Sequence, residues 1–254
     1  MGIVRQCLYF NGVSSEDFGL FISGRGTYTA PVREREFIDV PGRNGQLTID
    51  SGRFSNIDVT YEDCFLISKS HHDTWSALGH FLPDELNHRL ESIRSWLLSP
   101  VGYVRLEDTY RPDEYRLAVY DDDFDPDIED SLEAATFDLK FNCKPERWLK
   151  SGENTITLTE TSSILNPTAF ASKPLVRAYG TGSFTIGDVT VTISSASTYT
   201  DIDCEILEAY EGSTNCNSNI SIDSDDFPTL PGGLSTVTID SLTKLIITPR
   251  WWTI

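Results

Sequence analysis

Four potential metal ligands crowd into CFLISKSHHD: Cys64, His71, His72 and Asp73. Thiolate, imidazole and carboxylate together would suit a zinc ion. Their spacing matches no zinc pattern, and no second Cys/His pair follows nearby. Adjacent histidines in a polar stretch read more simply as surface. His80 and His88 stand alone, and His88 falls off the apolar stripe of its helix. The acidic run DDDFDPDIED sets Asp121, Asp123 and Asp125 at the opening positions of a calcium loop. An EF-hand then requires Gly where Pro126 sits and Glu where Leu132 sits. A solvated loop is the better reading. The glycine pairs GRG (24–26) and YGTG (179–182) complete no GxGxxG, and no GxSxG occurs. No catalytic, cofactor-binding or metal residue is assigned.

VPGRNGQL, Val40 to Leu47, looks like a phosphate cradle at first sight, with Arg43 between glycines. A phosphate loop must open a helix, whose N-terminus carries the anion. Here EREFIDV precedes and QLTID follows, both with strand alternation. Asn44-Gly45 is a hairpin signal, since both residues tolerate positive φ. The stretch is therefore expected at the tip of a hairpin. The closing ITPRWWTI offers tryptophans that could stack on a sugar, but alternation turns at least one of an adjacent pair inward.

The elements that would position these residues are mostly strands. Expected strands are Cys7–Phe10, Leu20–Ser23, Glu36–Val40, Gln46–Asp50, Asn56–Phe65, Tyr103–Leu106, Glu114–Tyr120 and Ala134–Cys143. Ile57, Val59 and Tyr61 share one face of their strand, as do Phe137, Leu139 and Phe141 of theirs. One helix, expected over 83–99, interrupts them. Leu86, Leu90, Ile93 and Leu97 form its apolar stripe, Pro83 opens it and Pro100 closes it. Downstream, FTIGDVTVTIS, YTDIDCEILEAY, SNISID, STVTID and TKLIITPRWW are β-branched and separated by turn residues, the pattern of a sandwich. Only four Lys/Arg and twelve Asp/Glu lie in 151–254, which marks a change of composition near residue 150. The expectation is a mainly β protein with two domains, 1–150 carrying the helix and 151–254 forming a β-sandwich.

The 254 residues carry a formal net charge of −19. That charge opposes stable binding to nucleic acid and to anionic membranes. No run of about 18 apolar residues is present, so no membrane insertion is expected. The start MGIVRQCLYFNG shows no secretion signal. Five scattered cysteines read as buried thiols of a protein made in a reducing cytoplasm.

Several segments together resemble the distal tail protein (Dit) family of long-tailed, non-contractile bacteriophages. In the first half they are FNGVSSEDFGLFISG, VPGRNGQLTIDSGRFSNIDVTYE and RSWLLSPVGYVRLEDTYRPDEYRLA. In the second they are LNPTAFASKPLVRAYGTG, SFTIGDVTVTI, TDIDCEILEAY and TPRWWTI. Their order and spacing cover nearly the whole chain, in a compact form without a receptor-protein-holding arm. The resemblance implies a non-enzymatic structural protein of the virion tail tip. Such proteins form a hexameric ring, in some relatives two stacked rings. The N-terminal domain builds the ring and the C-terminal domain is a galectin-like sandwich, similar to a carbohydrate-binding module. Implied partners are further copies of the chain, the major tail tube protein, a tail-tip or fibre protein of the tail-associated lysin type, and the tape-measure protein. DNA would pass through the lumen, where carboxylates would repel phosphate. Within this frame Val40, Arg43, Asn44, Gly45 and Leu47 are the candidate inter-subunit contacts, at the tip of an arm spanning Glu36–Asp50. A competing reading makes the second domain a module for host cell-wall polysaccharide, using Tyr199, Tyr210 or Trp251.

Overall fold

A computed structural model describes residues 6–23, 28–67, 83–128 and 134–254. The chain divides into two compact units, Met1–Glu146 with Ile254, and Arg147–Thr253.

The first unit contains strands β1 (Leu8–Phe10), β2 (Val13–Ser14), β3 (Leu20–Phe21), β4 (Arg33–Asp39), β5 (Gln46–Phe54) and β6 (Ile57–Ile67). Helix α1 (Pro83–Leu98) follows, then β7 (Val104–Asp108), β8 (Glu114–Tyr120), β9 (Asp127–Ile128) and β10 (Ala134–Cys143). The main sheet is antiparallel in the order β2-β1-β7-β8-β10-β6-β3, with β9 attached to β10. Its long central pair is β6 with β10, in register from Ala134↔Ile67 to Cys143↔Ile57, with a bulge between Phe137 and Leu139. Alternation sends Val59, Tyr61, Leu139 and Phe141 into the core. Leu86, Leu90, Ile93 and Leu97 of α1 meet them there, as expected from the helical spacing. Trp96 joins this stripe. It lies edge-on to Phe10, 6.0 Å between ring centroids, and donates its indole N–H to the Phe10 carbonyl at 3.0 Å.

The second unit contains β11 (Arg147–Leu149), β12 (Ile156–Leu158), β13 (Ser162–Asn166), β14 (Leu175–Tyr179), β15 (Gly182–Ile186), β16 (Val189–Ile193) and β17 (Tyr199–Asp203). It continues with β18 (Glu208–Glu211), β19 (Thr214–Asn215), β20 (Ile220–Ile222), β21 (Gly233–Asp240), β22 (Lys244–Thr248) and β23 (Trp252–Thr253). Two sheets, β12-β22-β14-β17-β18-β19 and β13-β21-β15-β16-β20, pack their inner faces together. Val176, Ala178, Ile202, Leu245 and Ile247 from one meet Phe184, Ile186, Val191 and Val237 from the other. The chain is thus mainly β, with a sandwich following a sheet-and-helix unit.

Two segments expected as continuous strands are hairpins. FTIGDVTVTIS turns at Gly187, whose φ is 60°. YTDIDCEILEAY turns between Asp203 and Glu208, with Leu207 at φ 59° in the left-handed region. No Gly or Pro marks the second turn, so alternation alone ran through it. The acidic stretch is not all loop either, because Asp127 and Ile128 pair with Thr136 and Ala135.

Candidate assembly interface

Strands β4 and β5 form a two-stranded sheet of their own. Every residue from Val32 to Arg53 is exposed apart from partly buried Glu34. A lone hairpin is marginal in water, so something must hold this one. Charged cross-strand pairs contribute: Arg33 Nε to Asp50 at 2.5 Å and Arg53 Nε to Glu34 at 2.6 Å. Gln46 donates to Asp39 at 3.0 Å, and the Ser55 N–H closes the base on the Val32 carbonyl at 2.9 Å. The Gly52 backbone N–H, followed by Arg33, holds the Asp50 carboxyl below the usual range. Exposed pairs of this kind contribute little each.

The hairpin is also apolar where a solvated arm should be polar. Ile38 lies directly opposite Leu47, and Ile49 opposite Glu36, which places all three apolar side chains on one face. Val40 extends that row beyond the strand end. Phe37, opposite Thr48 on the other face, is 58% exposed. Both outer edges of the hairpin lack a strand partner among the described residues. Bare edges and exposed Phe, Ile and Leu on both faces make this ribbon a candidate for docking.

The tip differs in detail from the expected Asn-Gly turn. The Arg43 N–H donates to the Val40 carbonyl at 3.1 Å, and Gly42 has φ 79°. The tight turn is therefore centred on Pro41-Gly42, a proline followed by a left-handed glycine. Gly45 also has φ 79°, but Asn44 keeps an ordinary negative φ. Proline presets the first turn position, so the earlier pair wins over Asn44-Gly45. Val40, Arg43, Asn44, Gly45 and Leu47 all sit exposed on this tip and its first strand residues. Arg43 has no carboxylate partner among the described residues. Ile38 and Ile49, which share a face with Leu47, and Phe37 on the opposite face were not singled out from the sequence. Their signal was an alternation with no buried partner, which a sequence cannot show.

The other candidates disperse. Cys64 is fully buried, and its thiol donates to the Tyr61 carbonyl at 3.3 Å. Burial pushes that thiol up to about 12, so it is a core residue and a poor ligand. His71, His72, Asp73 and His80 lie outside the described residues, and His88 is exposed on α1. Of the calcium-loop candidates, Asp123 and Asp125 line an open acidic cleft with Asp63, Asp122, Asp127 and Asp138, and Asp121 does not. Among the described residues no group of three or more His, Cys, Asp or Glu is arranged to hold a metal ion.

The aromatic residues considered for sugar stacking separate as well. Trp251 is 5% exposed and packs in the sandwich core. Trp252 stacks on Phe170 at 4.5 Å and donates to the Ala171 carbonyl. Tyr179 and Tyr199 are cross-strand partners on the outer face of the β14–β17 pair. Lys244 lies over the Tyr179 ring at 4.3 Å and Arg177 over the Tyr199 ring at 4.2 Å. One ring face of each is thus occupied by the protein's own cation. Arg177 also grips Asp201 through two bonds of 2.7 and 2.8 Å.

No family model and no curated protein matches the sequence. Solved structures do. The SPP1 Dit (gp 19.1) protein, described as a paradigm of the hub adsorption apparatus in phages infecting Gram-positive bacteria, superposes with a TM-score of 0.69. The alignment covers 98% of this chain and 99% of that one at 13% identity. The fold is that of a distal tail protein. A second match, to the phage p2 baseplate in its activated conformation with Sr, has a TM-score of 0.47 at 7% identity over 97% of this chain and 98% of that one. The 98% of this chain covered by the match to the SPP1 Dit protein takes in both units.

Proposed function

We propose that this chain is a structural distal tail protein of a long-tailed phage, without enzymatic activity. Copies assemble into a hexameric ring that joins the tail tube to the tail-tip apparatus and lets DNA pass. The observation that carries the reading is the bare, apolar β4–β5 hairpin within a fold shared with a phage hub protein. An element with exposed Phe37, Ile38, Leu47 and Ile49 is unfinished in a single chain. A heterologous contact, arm of one copy on body of the next, is the kind that closes into a ring.

The body offers a receiving edge. Strand β6 pairs with β10 along its length on one side, but with β3 only at Phe65 and Leu66 on the other. From Ile57 to Asp63 that second edge carries no strand among the described residues. A hairpin from the adjacent copy can add to it through main-chain hydrogen bonds. Burying each exposed apolar side chain of the arm then contributes about 1 kcal/mol, less than the full transfer value because each is partly covered already. Arg43, at the tip, would meet the acidic surface of the neighbour.

Light scattering tests this. The wild-type chain is expected at several times 28.4 kDa. Leu47→Asp, which removes no core contact, is expected to collapse the assembly toward the single chain. An unchanged mass in Leu47→Asp and in Ile38→Asp would overturn the arm. Exchange of Arg43 for Glu is expected to weaken assembly more at low salt than at high salt.

The polysaccharide reading keeps Tyr199 and Tyr210 on an outer sheet face but loses Trp251 to the core. Titration of the full chain with host wall polysaccharide is expected to show no saturable binding.

A further inference from the structure

Asn-Gly occurs twice in the chain, as Asn11-Gly12 and as Asn44-Gly45. This dipeptide is prone to a spontaneous reaction of its own main chain. The Gly nitrogen, unshielded by any neighbouring side chain, attacks the Asn side-chain carbon Cγ. A C–N bond forms, the bond from Cγ to Nδ2 breaks, and ammonia leaves. Water then opens the five-membered imide at either carbonyl, giving aspartate or isoaspartate. Nothing is oxidised or reduced, and water is the only co-reactant. By sequence the two pairs are equivalent. Both are exposed, and a Cβ added to either glycine would meet nothing within 4 Å.

The fold separates them. Asn11 and Gly12 are the two central residues of the β1–β2 turn, between the paired residues Phe10 and Val13. Their φ angles are 53° and 78°, the pattern of a type I′ turn. The Asn11 N–H donates to the Arg105 carbonyl at 3.0 Å, which ties the turn to β7. Closing the imide ring requires a large rotation of the Asn main chain toward its own side chain. At Asn11 that rotation pulls apart the turn, the Phe10–Val13 pair and the bond to Arg105. Asn44 has no such ties. Pro41-Gly42 takes the tight turn of its hairpin, which closes at Arg43, and the ladder resumes only where Gln46 faces Asp39. Asn44 and Gly45 lie outside both. Among the described residues, no hydrogen bond engages the Asn44 side chain or the Gly45 N–H.

We infer that Asn44 is a site of spontaneous deamidation, selected over Asn11 by the fold. Arg43 is the only charged residue from Val40 to Leu47, and the product sets a carboxylate beside it. The tip thereby changes from cationic to neutral. The isoaspartate form also lengthens the main chain by one carbon just before β5. One consequence rests on the ring contact proposed above: a converted tip loses its attraction to an acidic neighbour. Chains that wait unassembled then lose their ability to join, while a tip covered by a neighbour is spared.

The experiment uses the full chain carrying Leu47→Asp, whose tip is free whether or not the ring contact exists. Trypsin places Asn11 and Asn44 in separate peptides, and mass spectrometry follows the gain of about one dalton in each during storage. Conversion at Asn44 should be about ten-fold faster than at Asn11, which must first give up at least two main-chain hydrogen bonds. The Asn44 rate should rise with pH, because the Gly45 nitrogen attacks once it has lost its proton. An isoaspartyl methyltransferase should label the product, and Asn44→Gln should abolish both the gain and the label. In concentrated urea the two rates should converge. An unconverted Asn44, equal rates in the folded chain, or a difference that survives urea would overturn the inference. Failure of the ring contact has a different signature: wild-type chains would convert at Asn44 as fast as Leu47→Asp chains do.

Discussion

Two arginine–aspartate forks show how single residues fix the second unit. Arg250 holds Asp203 through bonds of 2.6 and 2.8 Å, and Asp203 also caps the Glu205 N–H at 3.0 Å. Burial pulls the Asp203 carboxyl upward, but Arg250 and the backbone N–H groups of Glu205 and Ile206 outweigh it, and the net direction is downward. A carboxyl depressed in the folded state stabilises above its unfolded pKa, and that contribution is lost as pH falls through the folded value. Stability contributed by this pair is therefore expected to be complete at neutral pH and to fade below about pH 4. Arg250→Met leaves the carboxylate without its partner and is expected to cost about 3 kcal/mol, the lower end for a broken buried pair. Urea unfolding at pH 7 measures that loss. At pH 3 the difference between the two proteins should shrink. None of this was legible in the sequence, since Asp203 and Arg250 are far apart in the chain and sit in unremarkable strand patterns.

At the scale of elements, periodicity carried well where a partner surface exists. The α1 stripe of Leu86, Leu90, Ile93 and Leu97 was readable because a helix facing a sheet must repeat in threes and fours. The alternation in β6 and β10 was readable for the same reason. Turns were less so: Leu207 adopts a left-handed conformation that its residue type does not announce, and Pro41-Gly42 took the turn from Asn44-Gly45. Close approaches were also hidden. A methyl group on Gly152 would collide with the Trp251 backbone nitrogen, while the Gly152 carbonyl accepts the Arg250 N–H at 2.8 Å. Gly152→Ala must push these segments apart. It is expected to destabilise by about 1–3 kcal/mol, seen as a lower denaturant midpoint with little change in slope.

For the whole molecule, the hairpin is the place where sequence and structure answer different halves of one question. EREFIDV and QLTID told that strands form. Only the coordinates show that Ile38, Leu47 and Ile49 face no core. The chain buries two separate cores, yet among the described residues one apolar ribbon and one length of β6 edge lack a partner. The proposed assembly of identical copies would satisfy both at once. The net charge of −19 has a consequence at this scale too, because a ring of such chains should not retain DNA. A gel-shift series with duplex DNA at low salt is expected to show no complex.

The most direct measurement is an image of the purified full-length protein by electron microscopy, with its mass determined in the same buffer. A closed six-membered ring, with the β4–β5 hairpin of each copy lying on the β6 edge of the next, is the predicted result. Single chains with a solvent-exposed hairpin at high concentration, or a ring in which the hairpins touch no neighbour, would contradict it.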